Sequence, residues 1–217
     1  RPADRQQLSR LLWGRYTSRN CLGPGKHSLA PTPSLTVSPA MYALESIRLV
    51  LTDVDGVLTN GQVTIDDHGC EQKTFHVHDG SGIVNLQRCG ISVGLITGRQ
   101  ARATLHWGRG LGIREIHQGV RAKLEVATEI VTRLGLSFDE VAYVGDDLLD
   151  LKVLAACGWS VAPADARPEV QARVAYVSSV VGGGGVLRDV AEQILKAQDR
   201  WTSLLAERYL PSEENES

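Results

Sequence analysis

Aromatic residues make up only 5% of this 217-residue chain, too few for a surface that stacks nucleic-acid bases. The formal net charge of -2 supplies no basic face for a polyanion either. Four cysteines, Cys21, Cys70, Cys89 and Cys157, are scattered with no CxxC spacing, so neither a structural zinc site nor a redox dithiol is suggested. Cys89 and Cys157 sit in apolar helical patterns and read as small core residues. A reducing, cytoplasmic setting is the simplest one for such thiols. No apolar run approaches the roughly 18 residues that a membrane span needs. What remains is enough chain for one ordinary domain with a proper core.

The first 40 residues have their own character. Arg1, Arg5, Arg10, Arg15, Arg19 and Lys26 face a single acid, Asp4, and Pro31, Pro33 and Pro39 interrupt the segment. An arginine- and serine-rich, acid-poor leader resembles a transit peptide, but no long apolar or amphipathic stretch supports import. The simpler reading is an extension outside the folded unit, which then starts at Met41, the only methionine. Residues 1–40 are expected to be disordered, residues 41–210 to form the domain, and 211–217 to be a flexible tail.

From Ile47 onward, apolar strands alternate with helical patterns. Strands are expected at Ile47–Thr52, Ile91–Ile96, Ile113–His117, Val141–Val144 and Trp159–Ala162. Helices are expected at Gly80–Cys89, Arg99–Gly110, Ala122–Leu134 and Leu148–Ala156, with one long closing helix over Val186–Leu205. This alternation implies an α/β fold, a parallel sheet with helices on both faces. Ligands of such sheets bind at the carboxyl ends of the strands.

The polar motifs fall at those ends. Asp53 and Asp55 follow the first strand, and residues two apart in extended chain share a face. Gly56 then permits a tight turn. Two acids this close call for a cation or a shared proton, unless the segment is only a solvated turn. Thr97-Gly98-Arg99 ends the second strand, where a hydroxyl and backbone N–H groups suit phosphate oxygens or simply cap a helix. Lys123 opens the next helix against the dipole, which makes it either a solvent-facing lysine or a fixed positive charge for phosphate. Gly145-Asp146-Asp147, with Asp150 one turn later, either serves a helix dipole or offers hard oxygen ligands to Mg2+. Each signal is weak alone, but four in this order, each after a strand, are jointly specific.

The set resembles the four motifs of the haloacid dehalogenase-like hydrolase superfamily. Further runs sharpen the resemblance: Asp53-Val54-Asp55-Gly56-Val57-Leu58-Thr59, Phe75-His76-Val77-His78-Asp79-Gly80, Ile96-Thr97-Gly98-Arg99, Gln118-Gly119 with Lys123, Gly145-Asp146-Asp147, and Gly182–Arg188. Over roughly residues 45–200 they are similar to the 3-deoxy-D-manno-octulosonate 8-phosphate phosphatase family, which serves lipopolysaccharide biosynthesis. That resemblance implies a Rossmann-like sheet and an aspartyl-phosphate mechanism with Asp53 as nucleophile and Asp55 as general acid and base. It implies Mg2+ held by Asp53, the Asp55 backbone carbonyl and Asp146, with Asp147 orienting water near the ion. Thr97, Gly98 and Lys123 would hold the phosphoryl oxygens, and His76, His78, Asp79, Gly80 and Arg99 would line the sugar side. Only Asn60–Thr74 separates the first motif from Phe75, room for a short β-hairpin and no large cap domain. An uncapped site needs another cover, and the resemblance implies a homotetramer that supplies one.

Three positions depart from the family pattern. The family often has arginine where this chain has His78 and Trp107, and a basic residue at Gly184. Neither histidine nor tryptophan copies a bidentate grip on a carboxylate, so Arg99, Arg102 and Arg109 are the candidate replacements. His76 and His78 can also be read as a metal pair, but no third ligand of that type lies near. The alternatives are a phosphatase for another sugar acid such as a nonulosonate 9-phosphate, a receiver-like domain, and a catalytically dead binding protein. Receivers place an acidic pair first and their phosphorylated aspartate after a later strand, which Asp53 and Asp55 fit poorly.

Overall fold

The computed structural model describes residues 44–210. The extension at 1–40 and the tail at 211–217 lie outside those residues. Among the described residues, six parallel strands form one sheet. They are β1 (Leu49–Thr52), β4 (Ser92–Ile96), β5 (Glu115–His117), β6 (Val141–Val144), β7 (Trp159–Ala162) and β8 (Tyr176–Val177). Across the sheet they run in the order β5-β4-β1-β6-β7-β8. A separate antiparallel pair, β2 (Thr64–Ile65) and β3 (Glu71–Gln72), is the expected hairpin. Its turn is closed by Asp66, whose Oδ1 accepts from the amides of His68 and Cys70 at 2.9 and 2.8 Å.

The sheet is buried on both faces because its central strands carry apolar residues at nearly every position. Along β1, Val50 packs into one core with Val93, Leu95, Ala142 and Val144. Its neighbours Leu49 and Leu51 pack into the other with Ile96, Val141 and Tyr143. This is the period-two alternation of a strand. The first core is closed by α1 (Val77–Arg88) and α6 (Val186–Ala197) through Ile83, Leu86, Leu187, Val190 and Ile194. The second is closed by α3 (Lys123–Arg133), α4 (Leu151–Leu154) and α5 (Pro168–Gln171) through Ala127, Ile130, Val153 and Val170. The helix α2 (Arg102–Gly110) lends Trp107 to the first core. No helix among the described residues is long and apolar enough to cross a membrane.

The expected closing helix over Val186–Leu205 is two helices, α6 and α7 (Trp201–Arg208). Asp199 breaks it at φ 54°, a left-handed conformation that aspartate tolerates better than most residues. The preceding Gln198 turns its side chain to the carbonyls of Leu44 and Ile47, at 3.0 and 2.9 Å. The expected helix over Leu148–Ala156 is likewise a 3-10 turn (Leu148–Asp150) running into the short α4. The helix expected from Arg99 starts only at Arg102, since Thr97 Oγ1 and Gln118 Oε1 hold the amides of Arg99 and Ala101 in a turn.

Central β1 sets where the site lies. It pairs with β4 and β6, and Thr52 stands opposite Leu95 and Val144. The strand ends of all three therefore come level, carrying Asp53, Thr97 and Asp146 to one edge of the sheet.

Candidate active site

Asp53 leaves β1 with its amide still bonded to the Val144 carbonyl, at 2.9 Å. It is 7% exposed. Its Oδ1 accepts from the Val54 amide at 2.6 Å, and its Oδ2 lies 2.7 Å from Lys123 Nζ. Lys123 is buried too, and its ammonium reaches Asp150 Oδ1 at 2.7 Å. Burial alone would lower the Lys123 pKa, but the charges of Asp53 and Asp150 outweigh it and raise the value. Lys123 therefore stays charged.

Asp150 is fully buried and saturated. Oδ1 also accepts from the Tyr143 hydroxyl at 2.6 Å, and Oδ2 accepts from the amides of Asp146 and Asp147 at 3.1 and 3.2 Å. Asp146 is the opposite case: its Oδ1 is buried and has no partner. Burial, then the charges of Asp53 and Asp150, push its pKa up to about 8. Asp53 is raised to about 6, chiefly by burial and against the pull of Lys123. One carboxylate oxygen each from Asp53, Asp146 and Asp150 lie within 4.8 Å of one another. Two acids held back from ionising, one buried and the other half-buried with an orphaned oxygen, fit a small divalent cation. With Asp150 saturated, Asp53 and Asp146 are the carboxylates of this group that could hold such an ion.

Gly56 makes room for this. Its φ is 93°, and a Cβ there would meet Asp146 Oδ2 at 2.1 Å. The glycine-rich segment before α6 braces the same turn: a Cβ on Gly182 would sit 2.1 Å from the Gly56 carbonyl oxygen, and the Gly183 amide donates to the Val57 carbonyl at 2.9 Å.

Asp55 follows Asp53 in a turn rather than in extended chain, and its partners are different ones. Its Oδ2 accepts from Thr97 Oγ1 at 3.2 Å, and its Oδ1 is paired with Lys73 from the hairpin. Thr97 is buried at the end of β4, and Gly98 is exposed at the turn that follows. Asp147 is exposed, and its Oδ1 caps the 3-10 turn through the Leu148 amide at 2.7 Å.

The residues expected on the sugar side divide. His76 caps α1, its Nδ1 accepting from the His78 amide at 3.2 Å. His78 is exposed, and the two rings meet edge to face at 4.7 Å. Among the described residues, the group compact enough for an ion does not include them. Asp79 and Gly80 are buried. Asp79 Oδ1 accepts from the Leu187 amide at 2.7 Å and so ties α1 to the start of α6, while its Oδ2 has no partner. Arg99 is held by Glu71 through two hydrogen bonds of 3.2 and 2.6 Å. Arg99 and Lys73 together pull the Glu71 pKa down to about 2. Trp107 stacks on Phe75, with centroids 4.3 Å apart and planes 8° from parallel.

Sequence reasoning passed over Lys73, Glu71 and Tyr143. Glu71 and Lys73 carry the one signal available: two apart in extended chain, they share a face.

A family model for haloacid dehalogenase-like hydrolases matches residues 109–189. The 3-deoxy-D-manno-octulosonate 8-phosphate phosphatase of Escherichia coli (strain B / BL21-DE3) is 39% identical over 173 residues, covering 80% of this chain and 92% of that protein. The crystal structure of the Yersinia pestis phosphatase of the same name superposes with a TM-score of 0.75 at 39% identity, covering 76% of this chain and 89% of that one. The Moraxella catarrhalis phosphatase, solved with magnesium, phosphate and KDO, gives 0.77 at 34% identity and covers 79% and 98%.

Proposed function

We propose that this chain, which belongs to the 3-deoxy-D-manno-octulosonate 8-phosphate phosphatase family of haloacid dehalogenase-like hydrolases, removes phosphate from that sugar acid with Mg2+ and an aspartyl-phosphate intermediate. The observation that carries this reading is the grouping of buried Asp53 and Lys123 with half-buried Asp146, two acids and a cation with one buried carboxylate oxygen of Asp146 left over for a metal.

Asp53 is the nucleophile. Val54 and Lys123 fix its carboxylate, so little reorganisation stands between binding and attack. Lys123, itself fixed by Asp150, offers positive charge to the phosphoryl group, and Thr97 with the Gly98 amide takes its remaining oxygens. Asp55, beside Thr97, gives a proton to the leaving sugar oxygen and then takes one from the hydrolytic water. Asp53, Asp146 and the Asp55 carbonyl would hold the Mg2+. The ion when bound cancels charge between the anionic nucleophile and the anionic phosphate.

The sugar comes from the relatives. His78, Trp107 and Gly184 stand where the family often has basic residues, and Trp107 is committed to Phe75. A panel of sugar-acid phosphates assayed with Mg2+ tests the assignment. Preference for a nonulosonate 9-phosphate over the octulosonate ester would overturn it. The cover for this open site is a neighbouring subunit of a homotetramer in the cytoplasm. Exposed Val63 and Ile65 on the hairpin, 43% and 62% accessible, support such burial. A monomeric mass in solution would refute the tetramer.

A further inference from the structure

The hairpin brings one charged group into the site that the strand-end motifs do not contain. Lys73 follows β3, and its side chain is 2% exposed. Its ammonium lies 2.8 Å from Glu71 Oε1 and also pairs with Asp55 Oδ1. Glu71 in turn holds Arg99. Arg99, Glu71, Lys73 and Asp55 thus form a chain of alternating sign. Burying a lysine is costly unless it is paired, and Glu71 alone would satisfy that need. The second contact, to Asp55, goes beyond what anchoring the hairpin requires.

That contact is also selective. Lys73 takes Oδ1 of Asp55, and the Thr97 hydroxyl faces Oδ2. Thr97 is one of the groups assigned above to the phosphoryl oxygens. The oxygen of Asp55 beside the phosphate is therefore Oδ2, and the other is tethered away.

We propose that Lys73 is a positioning residue for the proton transfers of Asp55, holding Oδ1 so that Oδ2 alone meets the leaving oxygen and then the water. This rests on the phosphatase reading above. In the first step an Asp53 oxygen bonds to phosphorus and the ester P–O bond breaks. Its electron pair stays on the sugar oxygen, which takes the Asp55 proton. In the second step water bonds to phosphorus and gives its proton to Asp55, while the Asp53–phosphorus bond breaks and restores the carboxylate. Positioned proton transfer of this kind contributes about 10^2- to 10^4-fold, and it matters only where the leaving oxygen needs a proton.

The test compares two esters on the same enzyme. The value of kcat/KM reports steps up to transfer onto Asp53. A sugar alkyl phosphate needs the proton there, and an aryl phosphate with a nitrophenolate leaving group does not. We expect Lys73→Met to lower kcat/KM on the alkyl ester about 10^2-fold and on the aryl ester by less than about threefold. Lys73→Arg should recover part of the loss. Equal losses on both esters, or no loss on either, would overturn the proposal. Thermal melting checks the fold. If Lys73→Met unfolds, the double variant Lys73→Met/Glu71→Gln, which leaves no unpaired glutamate, is held to the same comparison. Failure of both to fold would mark a purely structural lysine and also overturn the proposal. A wild-type chain inert towards both esters refutes the phosphatase reading and this proposal with it. An active wild type with equal losses refutes this proposal alone.

Discussion

Lys123 Nζ stands 2.7 Å from Asp53 Oδ2, and neither side chain has more than a tenth of its surface open to solvent. The lysine serves two ends at once, since the same ammonium also neutralises the saturated Asp150. Removing it should therefore cost both stability and activity. Lys123→Met leaves two buried carboxylates without their cation, a loss of about 3–5 kcal/mol. Its kcat should fall by about 10^2-fold or more. Chemical denaturation with a phosphate-release assay checks both numbers, and a variant as stable as wild type would mean that the buried triad is not an ion pair.

The raised pKa values of Asp146 and Asp53 make metal binding compete with protons. Without metal, Asp146 keeps its proton up to about pH 8 and Asp53 up to about 6. A cation needs both ionised, so Mg2+ affinity should fall as pH drops through about 8 towards 6, and binding near neutral pH should release a proton from Asp146. Titration calorimetry in two buffers of different ionisation enthalpy reads that release. Heats independent of the buffer would contradict it.

Gly56 is tested by a single methyl group. In Gly56→Ala the new Cβ would fall 2.1 Å from Asp146 Oδ2 on a backbone of φ 93°. Either the turn or the carboxylate must move. Backbone conformations of this kind cost a non-glycine residue on the order of 1–3 kcal/mol. The Mg2+ concentration for half-maximal activity should rise about tenfold or more. Unchanged metal dependence would show that Asp146 is not a ligand.

Asp79 gives a pH signature of its own. Burial pushes its pKa up to about 7, against the amides of Leu187 and Arg188. An acid whose folded pKa is raised binds more protons in the native state, so stability falls as pH rises from about 4 through about 7. The substitution Asp79→Asn would keep an acceptor for the Leu187 amide and lose the titration. As pH rises from about 5 to about 8, the stability of this variant relative to wild type should improve by a few kcal/mol at most. Denaturant melts across that range check it, and parallel curves for the two proteins would refute it.

The sequence made the sheet legible where strands are uninterrupted apolar runs. Val141–Val144 and Trp159–Ala162 have the expected bounds because every residue in them is buried. Tyr176–Val177 escaped notice because it is a two-residue edge strand, partly exposed, with no pattern to read. The break at Asp199 escaped for a different reason. Apolar periodicity runs on through Leu204, which still packs in the core, so only the backbone at one residue changes. The strand-end motifs singled out Asp53, Asp55, Thr97, Lys123 and Asp146, and the fold sets Asp53 beside Lys123 and Asp146, and Asp55 beside Thr97. Asp150 was visible only as one more acid, since its bonds to Tyr143 and Lys123 depend on side chains from two other elements. Lys73 was hidden because a lysine two residues from a glutamate reads as an ordinary solvated strand face until the hairpin folds over Asp55.

Asp53 is the residue that would carry the phosphoryl group. Phosphate release from 3-deoxy-D-manno-octulosonate 8-phosphate, measured with Mg2+ for the wild type and for Asp53→Asn, tests it most directly. Turnover by the wild type should stop in excess chelator, and the variant should lose on the order of 10^4- to 10^6-fold. A purified, folded Asp53→Asn protein that keeps more than about a tenth of the wild-type rate would contradict it.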